Sequence, residues 1–477
     1  MNGARIAERL HSRYRPELEA LRYVEALAPS HDVDCFILVE PGMGYLVGAL
    51  RNLRPNSKVV VLHADAAFRE FEGRHAGVPV WYPDDGRTAQ EFLEREIPEG
   101  ANARVIEWRP SLSAYGAACL ELVRESADFI KRAQASRRTA AAFGARWVRN
   151  FFRNLALIDS ALLCGKIGVP VVVAGSGPGL EAALGEIRAA REGVFVLASS
   201  SSLPALAAGG VLPDMAIGTD GGGWALSHLY ACFRLGGAPP PKLACSLFAA
   251  LPSQCAGLSV LPVSDGSLWQ ALALGAAGVP SALVPQRGTV AATALELALA
   301  LGARRVFLAG ADFSVDDIRT HARPYGFDHL FFGSASRLRP VYSQALARAR
   351  DVRGGGSHDV YAAWFKSRAE SWRGRVFSLG GRHRVFERGS LSPFLSARKG
   401  GGASCFSAVA LEGAPAQRCA RALGALVSAL KDPRHSAVLS RELGALLFPS
   451  RTDVGAEEIA RRLRAVAARY VALGAAG

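Results

Sequence analysis

Val171-Val-Val-Ala-Gly-Ser-Gly-Pro-Gly-Leu180 and Arg305-Val-Phe-Leu-Ala-Gly-Ala-Asp-Phe313 decide the fold of this chain. Each is an apolar, largely β-branched run that stops at a glycine and a small polar group. A buried parallel strand reads this way where it meets a ligand crevice. In the first stretch, Gly175, Gly177 and Gly179 let the backbone turn tightly and approach a ligand, with Ser176 and Pro178 completing the turn. A helix is expected from near Leu180, its free N–H groups aimed at that turn. In the second, Gly310 closes the strand and Asp312 sits just beyond it, where open α/β sheets place ligand-contacting side chains. Two such strand ends predict an α/β region with a nucleotide or nucleotide-sugar site.

Working outward, strand and helix patterns alternate from 149 to 389. Val194-Phe-Val-Leu-Ala198 is a strand running into Ser199, Ser200, Ser201 and Ser202, and Leu203 to Gly209 reads as a short helix. Pro213 to Asp220 is a short strand ending on an acid, Leu243 to Phe248 and Ser259 to Val263 are further strands, and Thr289 to Leu301 is an apolar helix. This alternation predicts a Rossmann-like parallel sheet covered on both faces. Residues 1–148 read as a smaller α/β domain, with strand Cys35 to Val39, a Glu40-Pro-Gly-Met-Gly-Tyr45 loop, helix Leu46 to Leu53 and strand Lys58 to Leu62. That unit resembles the start of a methyltransferase-like Rossmann domain, which would turn Gly42 and Gly44 toward a cofactor and Asp65 toward a ribose. Residues 390–477 read as a helical C-terminal region: Ala416 to Leu430, His435 to Leu447 and Ala456 to Leu473, the last capped by Asp453.

Composition sets the limits. A chain of 477 residues, half of them hydrophobic, has room for sizeable cores in two or three domains. No apolar stretch of about 18 residues lacks charge, and Met1 to Arg15 has no apolar signal-peptide core, so a cytoplasmic protein without a membrane span is expected. The eight cysteines show no C-x-x-C pair and predict reduced, mostly buried thiols. The net charge of +14 suits anionic substrates. The basic residues form no run of five or more, and no nucleic-acid partner is expected.

Six segments in order carry a family resemblance. They are Gly175-Ser-Gly-Pro-Gly-Leu180, Ser199-Ser-Ser201, Leu212-Pro-Asp-Met-Ala-Ile-Gly-Thr-Asp220, Arg287-Gly-Thr-Val290, Gly310-Ala-Asp-Phe313 and Thr320-His-Ala322. The order resembles the motility-associated factor (Maf) glycosyltransferases, whose central domain is also called MptE-like after an archaeal 6-hydroxymethylpterin diphosphokinase. Leu308 to Phe313 and Pro324-Tyr-Gly-Phe-Asp328 are also similar to bacterial sialyltransferases. Where the family pattern has serine after G-P this chain has Gly179, and where it has the first glycine of G-G-S-V it has Arg287. The resemblance implies a CMP-activated nonulosonic acid of the pseudaminic, legionaminic or sialic type as donor, and flagellin serine or threonine as acceptor. Two other classes stay open: a diphosphokinase using ATP and Mg²⁺, with Asp214 and Asp220 on the sheet rim, and a non-catalytic flagellin-binding chaperone.

Transfer from a CMP-sugar needs a base for the acceptor hydroxyl and groups that stabilise the departing phosphate. His321 is the leading base, since imidazole titrates near working pH. His358, after Gly354-Gly-Gly356, is the second candidate, and Asp312 the third. Gly175, Ser176, Gly177, Pro178, Ser199, Ser200, Asp220, Arg287, Gly288, Thr289, Gly310, Arg323 and Tyr325 are expected at the nucleotide-sugar site, with Arg319 a further phosphate candidate. Trp224 and His228 are candidates for the acceptor side. No metal and no cofactor is expected, because the one D-x-D, Asp32-Val-Asp34, precedes a strand instead of following one.

Overall fold

The computed structural model describes residues 10–27, 33–75, 77–97, 101–230, 240–285, 287–353, 356–380, 385–397, 406–451 and 454–472. Asp32, Cys232, Gly354, Gly355, Cys405 and the expected cap Asp453 lie outside them. The chain divides into two compact units, Met1–Thr139 and Ala140–Gly477.

The first unit holds four parallel strands, β1 (Cys35–Val39), β2 (Lys58–Leu62), β3 (Val80–Trp81) and β4 (Ala103–Glu107), in the order β3-β2-β1-β4. All five β1 residues are buried. Cys35, Ile37 and Val39 enter one core, and Phe36 and Leu38 the other. A strand covered on both faces has no polar side to show, hence the unbroken apolar run.

The second unit is built on one large sheet. Its strands are β5 (Ser160–Cys164), β6 (Val171–Ala174), β7 (Phe195–Ser199), β8 (Met215–Gly218), β9 (Lys242–Ser246), β10 (Ser259–Ser264), β11 (Ala282–Leu283), β12 (Val306–Ala309), β13 (Val376–Ser378) and β14 (Phe406–Ala410). Their order is β13-β12-β6-β7-β8-β9-β10-β5-β14, with β11 beside β10. Successive residues alternate between two cores: Val172, Ala174, Val196 and Phe307 on one face, Val171, Val173, Leu197 and Leu308 on the other. The fold is therefore α/β with a parallel-dominated sheet, as the sequence predicts. From β6 the chain steps one way through β7, β8, β9 and β10, while β12 and β13 lie on the other side. Strand order reverses between β6 and β12, and the carboxyl ends at such a reversal open a crevice.

The C-terminal segment is helical over Pro415–Ala429, Ser436–Leu447 and Ala456–Val471. It also supplies β14, which pairs antiparallel with β5. Its helices join the core of the second unit, through Cys419, Leu426, Leu443 and Leu463 among others. Glu442 accepts hydrogen bonds from the Leu268 and Trp269 N–H groups (3.1 and 3.0 Å). It thereby caps the helix Leu268–Ala277, whose first N–H groups have no partner within the helix. Among the described cysteines, five are buried and Cys164 is half-buried, and all are free thiols. No helix among the described residues is long and apolar enough to cross a membrane.

Candidate functional site

The turn after β6 and the loop after β12 are locked together at the strand reversal. Gly175 N–H donates to Ala309 O (2.7 Å) and Gly177 N–H to Gly310 O (2.7 Å). Asp312 accepts from the Gly179 N–H (2.5 Å), the first residue of the helix Gly179–Ala189. A carboxylate there sits at the positive end of a helix dipole and satisfies an orphan donor. A Cβ on Gly179 would overlap the Asp312 carboxylate, and one on Gly177 would lie 2.7 Å from Asp312 Oδ2 and from Gly310 O. The glycines are thus occupied by a neighbouring loop of the same chain. Asp312, expected among the reacting groups, instead holds this junction.

The serines form the adjoining wall. Ser199 Oγ lies 3.1 Å from Ser201 Oγ, which donates to Ser176 Oγ (3.0 Å). Ser202 Oγ donates to Ala174 O (2.9 Å). Ser200 is buried, and Ser201 is the serine that reaches the glycine turn.

Across from this wall, Ala322 N–H donates to Ser176 O (2.8 Å), so the Thr320-His321-Ala322 segment is pinned to the turn. The residues that follow line a cleft of about 100 Å³ with His321, Arg323, Tyr325, Phe327, Phe331 and Arg348. His321 stacks on Tyr325 with ring centroids 4.1 Å apart, and His228 stacks on Phe327 at 4.3 Å. His321 Nδ1 is 2.9 Å from Thr320 Oγ1. Burial, then the fields of His228, His358 and Arg348, lower the His321 pKa to about 4. Burial likewise lowers His228 to about 4 and pushes the Tyr325 phenol up to about 12. At neutral pH the cleft therefore presents a neutral imidazole, a neutral phenol and guanidinium groups, with the Asp328 carboxyl also in its lining.

The other candidates fall into three groups. Arg319 is consumed by Glu181 (2.9 Å) and Asp316 (2.8 Å), although it borders the cleft. Arg323 ties only its backbone N–H to Glu181 (2.9 Å), leaving its side chain for the cleft. Asp220 is exposed and accepts from Gly222 N–H (2.7 Å), and its charge helps to raise the Tyr325 pKa. Trp224 is 67% exposed, which removes it from the core.

His358 begins the helix Gly356–Arg368 and faces Phe313 edge-on at 6.3 Å. Its Nδ1 is buried without a partner, and burial lowers its pKa. It does not line the cleft but is close enough for its charge to bear on His321. Arg287, Gly288 and Thr289 lie apart from the cleft. Arg287 pairs with Glu296 (3.2 Å) and lies over the Trp364 ring. Gly288, at φ +74°, abuts Tyr361, and Thr289 caps the helix Val290–Ala300. Arg287 thus fills an internal charge pair in place of the expected phosphate contact.

Sequence reasoning missed Arg348, whose guanidinium lies 3.6 Å from the Phe331 ring centroid. It stands in an ordinary arginine-rich helix, Val341–Arg353, with no motif around it. Only the fold brings that helix to the cleft.

In the first unit the turn at Gly42 and Gly44 holds side chains of the same unit. His11 stands over Gly42, and His75 lies 3.1 Å from where a Cβ on Gly44 would be. Asp65 spends Oδ1 on the Ala67 N–H (2.9 Å). The methyltransferase-like reading of this turn has no open cradle here. Glu40 is fully buried, accepts from Ala64 N–H (2.6 Å) and contacts His63 Nδ1 (3.0 Å), and His63 Nε2 is 3.2 Å from His75 Nε2.

An uncharacterised protein of Treponema pallidum (strain Nichols) is 28% identical over 284 residues, covering 59% of this chain and 61% of that relative. The chain is also similar in structure to the Maf glycosyltransferase from Magnetospirillum magneticum AMB-1, with a TM-score of 0.45 and 15% identity over 99% of this chain and 78% of the other. Residues 146–317 match the family model described as 6-hydroxymethylpterin diphosphokinase MptE-like. That match runs from the helix before β5 to the Asp312 loop, so over these residues the chain is similar to the MptE-like family.

Proposed function

We propose that this chain is a glycosyltransferase that moves a nonulosonic acid from a CMP-activated donor to a serine or threonine hydroxyl of flagellin in the cytoplasm, in support of flagellar assembly. The observation that carries the reading is the His321–Tyr325 stack pinned to the glycine turn through Ala322 and Ser176. It puts a neutral base and a phenol at the sheet reversal where nucleotides bind in open α/β folds. In the tautomer whose Nδ1–H donates to Thr320 Oγ1, His321 Nε2 keeps its lone pair for the acceptor hydroxyl proton. Acceptor attack and departure of CMP pass through an oxocarbenium-like transition state. As the sugar–phosphate bond breaks, negative charge grows on the phosphate, and Arg323 and the Tyr325 hydroxyl offset it.

The diphosphokinase named in the family description would need carboxylates to hold Mg²⁺ beside ATP. Asp214 and Asp220, the sequence candidates, do not fit one ion. Asp214 accepts from Val196 N–H (2.7 Å) and pairs with Arg191 (3.1 Å) at the amino end of β8. Asp220 follows the carboxyl end of β8. The four strand residues between them, each rising about 3.3 Å, separate the two by more than roughly 10 Å. Calorimetric titration with CMP, ATP and 6-hydroxymethylpterin separates the readings. CMP binding supports transfer, while ATP and pterin binding without CMP supports the diphosphokinase. CMP binding with no sugar reaching co-expressed flagellin points to a non-catalytic binder.

A further inference from the structure

We infer that the side chains of Arg323 and Arg348 form an oxyanion subsite in the cleft beside His321 and Tyr325, one that takes the phosphate or the carboxylate of an activated sugar. Its donor rests on the proposed glycosyl transfer; its affinity for an oxyanion does not.

Three observations meet here. First, both guanidinium groups line one half-closed cleft of about 100 Å³. Second, two of the neighbouring carboxylates are spent elsewhere, and the third, Asp328, lines the cleft without pairing with either guanidinium. Glu181 and Asp316 hold Arg319, and Asp328 accepts from the Tyr325 N–H (2.9 Å). No ion pair to Arg323 or Arg348 is found among the described residues. Third, Arg348 lies on the Phe331 ring at 3.6 Å. Stacking uses the face of the planar guanidinium and fixes it, while its in-plane N–H donors stay free for a two-pronged contact.

Two cations lining one partly desolvated cleft repel, and the charge of Arg323 outweighs that of Asp328 at Arg348. Burial and the charge of Arg323 accordingly push the Arg348 pKa down. An oxyanion between them relieves that repulsion and gains charge-assisted hydrogen bonds. His321 and Tyr325, both neutral at pH 7, add no negative charge to that of Asp328, which is turned to the Tyr325 N–H. A CMP-activated nonulosonic acid carries two suitable groups, its phosphodiester and its sugar carboxylate.

The test is calorimetric titration of the full chain, as wild type, Arg323→Ala, Arg348→Ala, Arg348→Lys and Arg350→Ala. Probes are inorganic phosphate, CMP, cytidine and N-acetylneuraminic acid. Arg350 is exposed on the same helix and controls for the long-range field. Arg348→Ala should weaken CMP by on the order of 10- to 100-fold and leave cytidine unchanged if the phosphate is held. It should weaken N-acetylneuraminic acid and spare CMP if the carboxylate is held. Lysine should restore part of the loss, and added salt should shrink it. The subsite is overturned if Arg348→Ala binds both anions like wild type, if Arg350→Ala loses as much, or if wild type binds none of the anionic probes. Should the anions bind in an Arg348-dependent way while wild type transfers no sugar, glycosyl transfer fails and the subsite stands.

Discussion

His321 carries the proposed chemistry, and its surroundings set its pH behaviour. Burial and nearby cationic groups lower its pKa to about 4. A base works deprotonated, so the acid limb of kcat/KM in the free enzyme should fall near pH 4, well below the ordinary histidine value near 6.5. A limb near 6.5 would assign the base elsewhere. His321→Ala should lose on the order of 10²–10⁴ in turnover with CMP affinity nearly intact, because a base acts in the transition state and holds little of the donor before it. His358→Ala should have a modest effect, since His358 stands outside the cleft wall. The reverse pattern in steady-state kinetics would make His358 the base. At this scale the sequence marks His321, Arg323 and Tyr325, which share one short segment. It could not show that Arg319 is neutralised by Glu181, 138 residues earlier, or that Asp312 caps a helix begun at Gly179. Such partnerships exist only once β6 and β12 pair.

The strand–turn–helix junctions are where sequence and structure agree most closely. β1, β2, β6, β7 and β12, and the helices after β1, β6 and β7, lie within a residue or two of the apolar runs and glycines that announce them. β5 and β14 were not legible. Ser160-Ala-Leu-Leu-Cys164 is short, and Phe406-Ser-Ala-Val-Ala410 carries small residues before an alanine-rich helix. Only pairing within the sheet makes them strands, β5 parallel to β10 and β14 antiparallel to β5. Two predictions belong to the junctions. Gly310, at φ +66°, has no room for a Cβ, which would lie 2.6 Å from Gly175 O and 2.8 Å from Leu180 Cβ. Gly310→Ala should therefore destabilise the second unit by about 2 kcal/mol or more, read as a lower denaturation midpoint with unchanged slope. Gly177→Val should also abolish CMP binding, now because valine would push into Gly310 and Asp312. Unchanged CMP affinity in a folded Gly177→Val variant would move the site away from this turn. Glu442→Ala should cost about 1–2 kcal/mol by uncapping the helix Leu268–Ala277, and Glu442→Gln should recover part of it. No change for alanine would show that the cap is idle.

Across the whole molecule, pH should act on the first unit as well. His11 and His75 are buried, and burial lowers each to about 4, with Arg74 adding to the effect on His11 and His63 to that on His75. Unfolded, each titrates near 6.5. Between those values the unfolded chain binds more protons, so this stability is complete above about 6.5 and declines as pH falls toward 4. Hydrogen exchange of the β1 and β2 amides at pH 7.0 and pH 5.0 should show faster opening at the lower value, and His75→Gln should reduce the difference. Equal protection at both values would mean that these histidines do not govern the unit. The central claim, that the cleft beside the β6–β12 reversal transfers a sugar, has a more direct test. Purified protein is incubated with a CMP-activated nonulosonic acid and flagellin, and intact flagellin is weighed by mass spectrometry. The account predicts added mass in units of one nonulosonic acid residue with wild type, and little or none with His321→Ala. Unmodified flagellin with the wild-type protein, or equal modification by wild type and His321→Ala, would contradict it.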